Sequence, residues 1–144
     1  MLKRQLARFN QLMQGIEKIY EDYAKSVGLT YMSLTVLQII CNAEEPLTQK
    51  EICEICYYNK QVVNAITKTF YEQRYICFRE LPNDRRNKHV LLTENGRQYA
   101  DAVLDPLHEI EKKALTVLTD DEREQLLGML GRCYEGYRSA YRKR

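Results

Sequence analysis

The sequence lacks any apolar run close to the roughly 20 residues that a helix needs to cross a bilayer. Residues 1–14 also lack the continuous apolar stretch and the small-residue cleavage pattern of a secretory signal. The five cysteines are an odd number, which does not suit a disulfide framework, and thiols inside cells are normally reduced. These absences predict a cytoplasmic protein.

The signatures of catalysis and of cofactor binding are missing as well. The sequence contains no glycine-rich phosphate loop, no paired histidine and glutamate of a hydrolytic metal site, and no nucleophile elbow. Cys53 and Cys56 have the spacing of half a zinc site, but no second pair accompanies them and the only histidines are His89 and His108. We therefore expect neither an enzyme nor a bound metal or cofactor.

A strong excess of one charge is absent too. Lys and Arg number 22 and Asp and Glu number 20, so the net charge is only +2. The net charge alone does not indicate that the protein binds nucleic acid, and the argument for such binding depends on where the basic residues lie. The length of 144 residues suits one domain, with or without extensions that pair two copies of the chain.

Apolar residues spaced three and four apart predict long helices at both ends of the chain. The first helix ends at Gly28, which adopts left-handed dihedrals without a Cβ penalty. Its stripe is Leu2, Leu6, Phe9, Met13, Ile16, Tyr20, Tyr23 and Val27. Thr119 and Glu122 have the spacing of a capping box for the last helix, whose stripe is Leu126, Leu127, Leu130, Tyr134, Tyr137 and Tyr141. The first stripe is too long for one small globule to cover, so we expect these ends to meet a second copy.

Two short capped helices are predicted near the middle of the chain. A second helix, capped by Thr30 or Ser33, precedes them. Thr48 and Glu51 have the spacing of a capping box for a third helix, which should bury Ile52 and Ile55. Asn59 then caps a fourth helix after a turn at residues 57–59.

The fourth helix separates an apolar face from a face of hydrogen-bond donors. Val63, Ile66 and Phe70 form the inward stripe. The outward side chains are Lys60, Gln61, Asn64 and Lys68. No acidic residue interrupts this outward face before Glu72.

Two strands joined by a basic loop follow. Residues 76–79 alternate as a strand, residues 81–84 are turn-rich, and residues 89–92 return as the second strand. Thr93 then caps a fifth helix. A short helix, a tight turn, a longer helix and a two-stranded wing make a winged helix-turn-helix. The predicted fold is mainly α with a small β-wing.

The wing carries a recognisable signature. Asp84-Arg85-Arg86 followed by Leu92-Thr93 and Gly96 resembles the DRR…LTxxG pattern of the MarR family of winged helix-turn-helix regulators. The resemblance covers essentially the whole chain, as a single domain over residues 1–144. It implies a DNA-binding region at residues 30–96 and dimerisation helices at residues 1–28 and 98–144. Arg74 departs from the family, which often has glycine at that position.

The resemblance also implies a function. Members of the family bind a roughly palindromic operator as homodimers, usually as repressors, and a small ligand or an oxidant commonly releases the DNA. We therefore expect double-stranded DNA and a second copy of the chain as partners, with a small, mostly aromatic effector. A redox-sensing regulator and a winged helix used only for protein contacts are the alternatives.

The expected DNA contacts fall into three groups. On the fourth helix, Lys60, Gln61 and Asn64 suit base edges, and Lys68 suits phosphate. Thr48 and Gln49 open the third helix, where free amides favour a phosphate. In the wing, Arg85 is expected in a minor groove, and the resemblance has Asp84 hold it in position. The remaining backbone candidates are Arg79, Arg86 and Lys88.

The expected effector site is aromatic. In the family it lies between the helix-turn-helix and the dimerising helices. Its candidate lining residues here are Tyr20, Tyr23, Tyr31, Met32 and Tyr57, since tyrosine combines an aromatic face with one polar tip. Ordinary interface packing explains the same residues.

Oxidation of a cysteine thiol is the other expected mechanism by which the protein releases DNA. The candidate thiols are Cys53, Cys56 and Cys77. No cysteine precedes Cys41, whereas the peroxide-sensing branch of the family uses one in its first helix. Burial as small apolar residues is the competing explanation for these cysteines.

Overall fold

The computed structural model describes residues 1–144 as six helices and three strands. In chain order they are α1 (Leu2–Ser26), α2 (Tyr31–Asn42), β1 (Leu47–Thr48), α3 (Gln49–Cys56), α4 (Lys60–Glu72), β2 (Ile76–Leu81), β3 (Asp84–Leu92), α5 (Glu94–Leu115) and α6 (Asp120–Arg142). The order confirms the predicted helical fold with a β-wing. The chain forms two compact units, Met1–Asp105 and Pro106–Arg144, which divide inside α5.

Side-chain caps set most of the helix starts. The hydroxyl of Thr30 accepts from the Ser33 amide at 3.1 Å, so Thr30 rather than Ser33 begins α2. Asn59 caps α4 by accepting from the Val62 amide at 2.9 Å. Thr119 and Glu122 form a complete capping box at α6. These bonds lie within three residues along the chain, which is why the sequence predicted them.

Helix α3 follows its prediction only in part. The hydroxyl of Thr48 accepts from the Glu51 amide at 3.2 Å, which is one of the two bonds of a capping box. Ile52 is buried as expected, but Ile55 is 50% exposed, so its predicted burial is wrong. The helix is only eight residues long, and Ile55 lies in its last turn, rotated about 60° from Ile52.

The three strands form one antiparallel sheet in the order β1-β3-β2. Ile76 pairs with Leu92 and Leu81 pairs with Asp84, so the hairpin turns through Pro82 and Asn83 alone. The second strand was predicted at residues 89–92 but begins at Asp84. Residues 85–88 are exposed and show no apolar alternation. Asp84 pairs with Leu81 and Lys88 pairs with Glu80, and the register of the hairpin shifts between these two pairs. The predicted basic loop is therefore largely a basic strand.

The core of unit Met1–Asp105 positions α4. The predicted inward stripe of Val63, Ile66 and Phe70 is confirmed, because all three are buried. They share the core with buried side chains from the other elements: Ala24, Leu34, Val36, Leu37, Ile52, Ile76, Val90, Ala100, Val103 and Leu104. With one face of α4 fixed inside, the opposite face points to solvent.

The base of the wing explains the LTxxG signature. Thr93 donates its hydroxyl to the Arg74 carbonyl at 2.6 Å and accepts from the Gly96 amide at 2.9 Å. A Cβ on Gly96 would lie 1.7 Å from the Tyr75 carbonyl oxygen, so only glycine fits there. Arg74 itself has φ +63°, the left-handed conformation that glycine adopts without strain. The left-handed turn is therefore present, and an arginine forms it.

Helices α1 and α6 are poorly covered within one chain. Ala24 is the one buried residue of α1, and α6 has none. Four of the eight residues of the first predicted stripe and five of the six of the last are exposed. No helix alone is long and apolar enough to span a membrane; α1 and α2 pass that test only as a pair, bent by 87° at their junction.

Candidate nucleic-acid interface

The outward face of α4 presents the four predicted donors. Lys60, Gln61, Asn64 and Lys68 are all exposed, and the first three lie in the N-terminal half of the helix. Lys68 lies 4.0 Å from Glu72 one turn later, an exposed pair that contributes little to stability. The face is therefore free to meet a flat or convex partner.

A groove opens between α3, the start of α4 and the wing. Its volume is about 560 Å³. Four basic residues from three separate elements line it: Lys50, Lys60, Arg86 and Lys88. No Asp or Glu lines it. We call these eight lining residues the basic groove, the other four being Gln49, Cys53, Phe78 and Asn87.

The sequence anticipated half of the basic groove. Gln49, Lys60, Arg86 and Lys88 were expected at DNA, and the fold brings them together. Lys50 and Asn87 were missed, although each adjoins a predicted contact in the sequence. Phe78 was assigned only to a strand, because nothing local shows that its ring lines a concave surface.

Thr48 has the capping role that the sequence predicted, and Gln49 has an internal role that the sequence did not predict. Thr48 is only 6% exposed, and its hydroxyl caps α3. Gln49 donates from Nε2 to the hydroxyl of Thr67, 3.0 Å away on α4. Both side chains therefore hold the helix-turn-helix together, which leaves the amides at the start of α3 as the groups suited to a phosphate.

Asp84 organises the wing through its backbone. Its carboxylate accepts from the Asn87 side chain at 2.8 Å and from the amides of Arg86 and Asn87 at 2.9 and 3.4 Å. These bonds, the Asn87 side chain first, lower the pKa of Asp84. The four ion pairs of the structure do not include Arg85. Asp84 thus fixes the backbone next to Arg85 and forms no ion pair with the Arg85 guanidinium.

The remaining wing arginines are exposed. Arg85 lies on β3 and Arg79 on β2, opposite His89. Neither lines the basic groove. Arg85 follows Asp84, the first residue after the turn, in the stretch where the register of the hairpin shifts. The wing therefore presents one basic surface toward α4 and a separate arginine at its tip.

Two of the five expected effector residues are in ring contact with each other. The rings of Tyr20 and Tyr31 lie 6.1 Å apart, and the Tyr23 hydroxyl donates to the Val103 carbonyl. Burial raises the pKa of Tyr23 and of Tyr31. Met32 and Tyr57 are 44% and 79% exposed, and Tyr57 occupies the left-handed turn after α3. None of the five lines the basic groove.

The thiols that are shielded from solvent, those of Cys41 and Cys53, are poorly suited to oxidation. Burial raises the pKa of Cys41 to about 11 and also raises the pKa of Cys53. A reactive cysteine needs the opposite shift, because the thiolate is the nucleophile. Cys56 is half-buried, and its thiol donates to the Cys53 carbonyl at 3.9 Å. Cys77 and Cys133 are exposed.

Together, the donor face of α4, the basic groove and the paired strands define a winged helix-turn-helix protein of the DNA-binding, transcription-regulating class. The sequence profile of the MarR family matches residues 27–87. The HTH-type transcriptional regulator SarZ of Staphylococcus aureus is 31% identical over 109 residues, covering 76% of this chain and 70% of SarZ. The chain belongs to the MarR family and is a regulator, not an enzyme.

Solved structures agree with this assignment. The MarR family regulator NMB1585 of Neisseria meningitidis has a TM-score of 0.84 at 26% identity, covering 96% of this chain and 97% of its own. The S. aureus MepR–DNA complex has a TM-score of 0.72 at 17% identity, covering 91% and 96%. S. aureus MarR in complex with salicylate and kanamycin has a TM-score of 0.74 at 16% identity, covering 95% and 92%. The last two show likeness of fold alone.

Proposed function

We propose that this chain is a homodimeric repressor that binds a pseudo-palindromic operator in the cytoplasm and is released by a small effector. The observation that carries the DNA interface is the basic groove, where Lys50, Lys60, Arg86 and Lys88 converge without a carboxylate among them. Such a surface matches a phosphodiester backbone, because each cation that meets a phosphate releases a counterion.

Base recognition belongs to the outward face of α4. Gln61 and Asn64 suit adenine and Lys60 suits guanine, since these are the pairings that side-chain geometry favours in the major groove. Lys68 and Arg79 lie farther out and suit phosphates. Arg85 at the wing tip suits the minor groove, whose negative potential attracts arginine.

The exposed apolar side chains of α1 and α6 support dimerisation. The apolar side chains exposed on α1 and on α6 would face water in a single chain. We assign residues 1–28 and 98–144 to the dimer interface and residues 30–96 to the DNA-binding region. A twofold axis then places the DNA-binding regions of the two copies about 10 bp apart on the operator. Light scattering at micromolar concentration tests this assignment, and a monomeric mass contradicts it.

A small effector fits the aromatic pair of α1 and α2. Tyr20 and Tyr31 offer two ring faces in contact range, and Met32 beside Tyr31 is exposed. The salicylate bound by S. aureus MarR is an aromatic compound of this kind. Redox release is the weaker alternative, because burial disfavours the thiolates of Cys41 and Cys53.

The decisive experiment measures binding to the DNA upstream of the protein's own gene by fluorescence anisotropy at several salt concentrations. We expect the double variant Lys50→Gln/Lys88→Gln to bind at least about tenfold more weakly. The slope of log K against log salt concentration should be shallower by about two, because each lost phosphate contact accounts for roughly 0.9 of that slope. Lys112→Gln/Lys113→Gln removes the same charge from α5; it should remain dimeric by light scattering and should bind like wild type. Equal affinities for the two double variants would refute the proposal.

A further inference from the structure

Asn95 and Gly96 form the one Asn–Gly pair in the sequence. An asparagine before glycine is especially prone to deamidation, because glycine has no side chain to hinder attack by its own backbone nitrogen. The pair lies in the first turn of α5, directly after Glu94. The Asn95 side chain is exposed, so water reaches it freely. Any protection of Asn95 must therefore come from the backbone around Gly96.

We propose that Asn95 is a modification site that the base of the wing protects. Asn95 deamidates only when this base opens, and its isoaspartate product prevents the base from closing again. The base of the wing comprises Arg74, Tyr75, Thr93 and Gly96, which are joined by hydrogen bonds and close backbone contact. The proposal concerns the integrity of the fold and does not rest on the proposed DNA-binding function.

The reaction consumes water and releases ammonia. The backbone nitrogen of Gly96 loses its proton and forms a bond to Cγ of Asn95, and the side-chain nitrogen leaves with that proton as ammonia. Water then opens the resulting succinimide ring at one of its two carbonyl carbons. One opening gives aspartate. The other gives isoaspartate, in which the main chain runs through the former side chain of residue 95.

Three features of the native structure oppose closure of that ring. The Gly96 amide donates to the Thr93 hydroxyl at 2.9 Å, so its proton is held in a hydrogen bond. Asn95 lies in α5, and a helical ψ of about −42° keeps the Gly96 nitrogen away from the Asn95 Cγ. Rotation about that bond would move Gly96, which has no free space. Even a Cβ on Gly96 would lie 1.7 Å from the Tyr75 carbonyl oxygen.

Several contacts must break together before Gly96 can move. Thr93 donates its hydroxyl to the Arg74 carbonyl at 2.6 Å, and its amide donates to the Tyr75 carbonyl at 3.0 Å. The ring of Tyr75 stacks on Tyr99 of α5, with ring centroids 3.9 Å apart. The rate of deamidation should therefore follow the population of chains in which the base of the wing has opened.

The two products differ in what they do to the base. Isoaspartate adds one carbon to the main chain just before Gly96, so the Gly96 amide no longer lies opposite the Thr93 hydroxyl. Gly96 cannot shift to compensate, because the Tyr75 backbone is against it. Aspartate leaves the main chain unchanged and adds a negative charge in the first turn of α5, where the helix dipole favours it. Only isoaspartate should damage the fold.

The first test follows deamidation of Asn95 in the full-length protein by peptide mass spectrometry at mildly alkaline pH. We expect native wild type to react at least about tenfold more slowly than wild type in denaturant, since the reaction requires the open form. Equal rates in the two conditions would refute the protection. This comparison needs no variant, so it decides the matter even where a substitution prevents folding.

A pair of matched variants then locates the protection. Thr93→Val removes both hydroxyl bonds at the base of the wing and should raise the native rate of deamidation at least about fivefold. Thr119→Val removes the cap of α6 instead and should leave that rate near wild type. Equal acceleration in the two variants would show that overall stability protects Asn95, and would overturn the role of the wing base.

The second test measures the effect of the product. Wild type is deamidated in denaturant and refolded, and its isoaspartate form is separated from its aspartate form by chromatography. We expect the isoaspartate form to refold poorly or to melt several degrees below wild type, whereas Asn95→Asp should melt like wild type. Asn95→Gln, whose longer side chain disfavours ring closure, should survive the same treatment unchanged. An isoaspartate form with the wild-type Tm would show that the base tolerates the longer chain, and would refute its damaging effect.

Discussion

Gln49 donates a hydrogen bond from its side-chain amide to the hydroxyl of Thr67, 3.0 Å away. Thr67 is buried, and its own hydroxyl donates back to the Val63 carbonyl at 2.9 Å. This bond joins the first residue of α3 to the buried face of α4, and so sets the angle at which α4 is presented. A residue that the sequence predicts at DNA therefore supports α4 from inside.

Thr67→Val keeps the shape of the side chain and removes the hydroxyl. We expect a loss of about 1–2 kcal/mol in the free energy of unfolding, because the Gln49 amide loses its acceptor. Operator affinity should fall several-fold as α4 loosens. Urea denaturation and anisotropy measure the two effects. Thr69→Val is the control, since the Thr69 hydroxyl is exposed and bonds only to Ala65 in its own helix; equal losses in the two variants would contradict a special role for the bond.

Gly96→Ala should be among the most damaging single changes in the chain. The added Cβ would lie 1.7 Å from the Tyr75 carbonyl oxygen, so the wing base or the start of α5 must shift. We expect destabilisation of several kcal/mol, measured as a fall in Tm. Gly128→Ala in α6 has nothing within 4 Å of its Cβ and should be neutral or stabilising by up to about 1 kcal/mol. A wild-type Tm for Gly96→Ala would disprove the close approach.

Arg74→Gly should stabilise the protein. Arg74 has φ +63°, and a left-handed conformation costs a residue with a Cβ roughly 1–2 kcal/mol. After the greater flexibility of unfolded glycine is subtracted, we expect a gain of about 0.5–1 kcal/mol, or about 2–4 °C in Tm. Gln73→Gly, at φ −80°, offers no such relief and should lower Tm. The idea fails if both glycine variants shift Tm in the same direction.

Arg85→Ala should weaken operator binding more than tenfold at moderate salt without unfolding the protein. Arg85 is exposed at the wing tip and takes part in no ion pair, so its removal disturbs little of the fold. Anisotropy gives the affinity, and circular dichroism checks the fold. Arg97→Ala removes an exposed charge from α5 instead and should leave affinity near wild type. Unchanged affinity for Arg85→Ala would remove this residue from the interface.

Alkylation should distinguish the cysteines. With its pKa near 11, Cys41 is only about one-thousandth thiolate at pH 8, and burial restricts access further. We expect iodoacetamide to modify Cys77, which is exposed, at least about tenfold faster than Cys41. Peptide mass spectrometry after timed quenching measures the two rates, and in denaturant they should converge. Equal rates in the native protein would contradict the sheltered environment of Cys41.

The features that the sequence predicted well are local. The caps at Thr30, Asn59 and Thr119 are bonds across three residues, so their residue types can be read directly along the chain. The inward stripe of α4 follows from helical periodicity. The misses are non-local: β3 extends back to Asp84, which pairs with Leu81 across the hairpin, and Ile55 is exposed because α3 ends beside it.

The sequence by itself determined the family, the order of helices and wing, and which residues could touch DNA, since motif and periodicity are properties of the chain alone. Only the tertiary structure decided which of those residues share a surface. It gathered Lys50, Lys60, Arg86 and Lys88 into one groove and turned Gln49 inward to Thr67. The reason is physical: charge and hydrogen bonding act through space, and residues 49 and 67 are 18 positions apart in the chain.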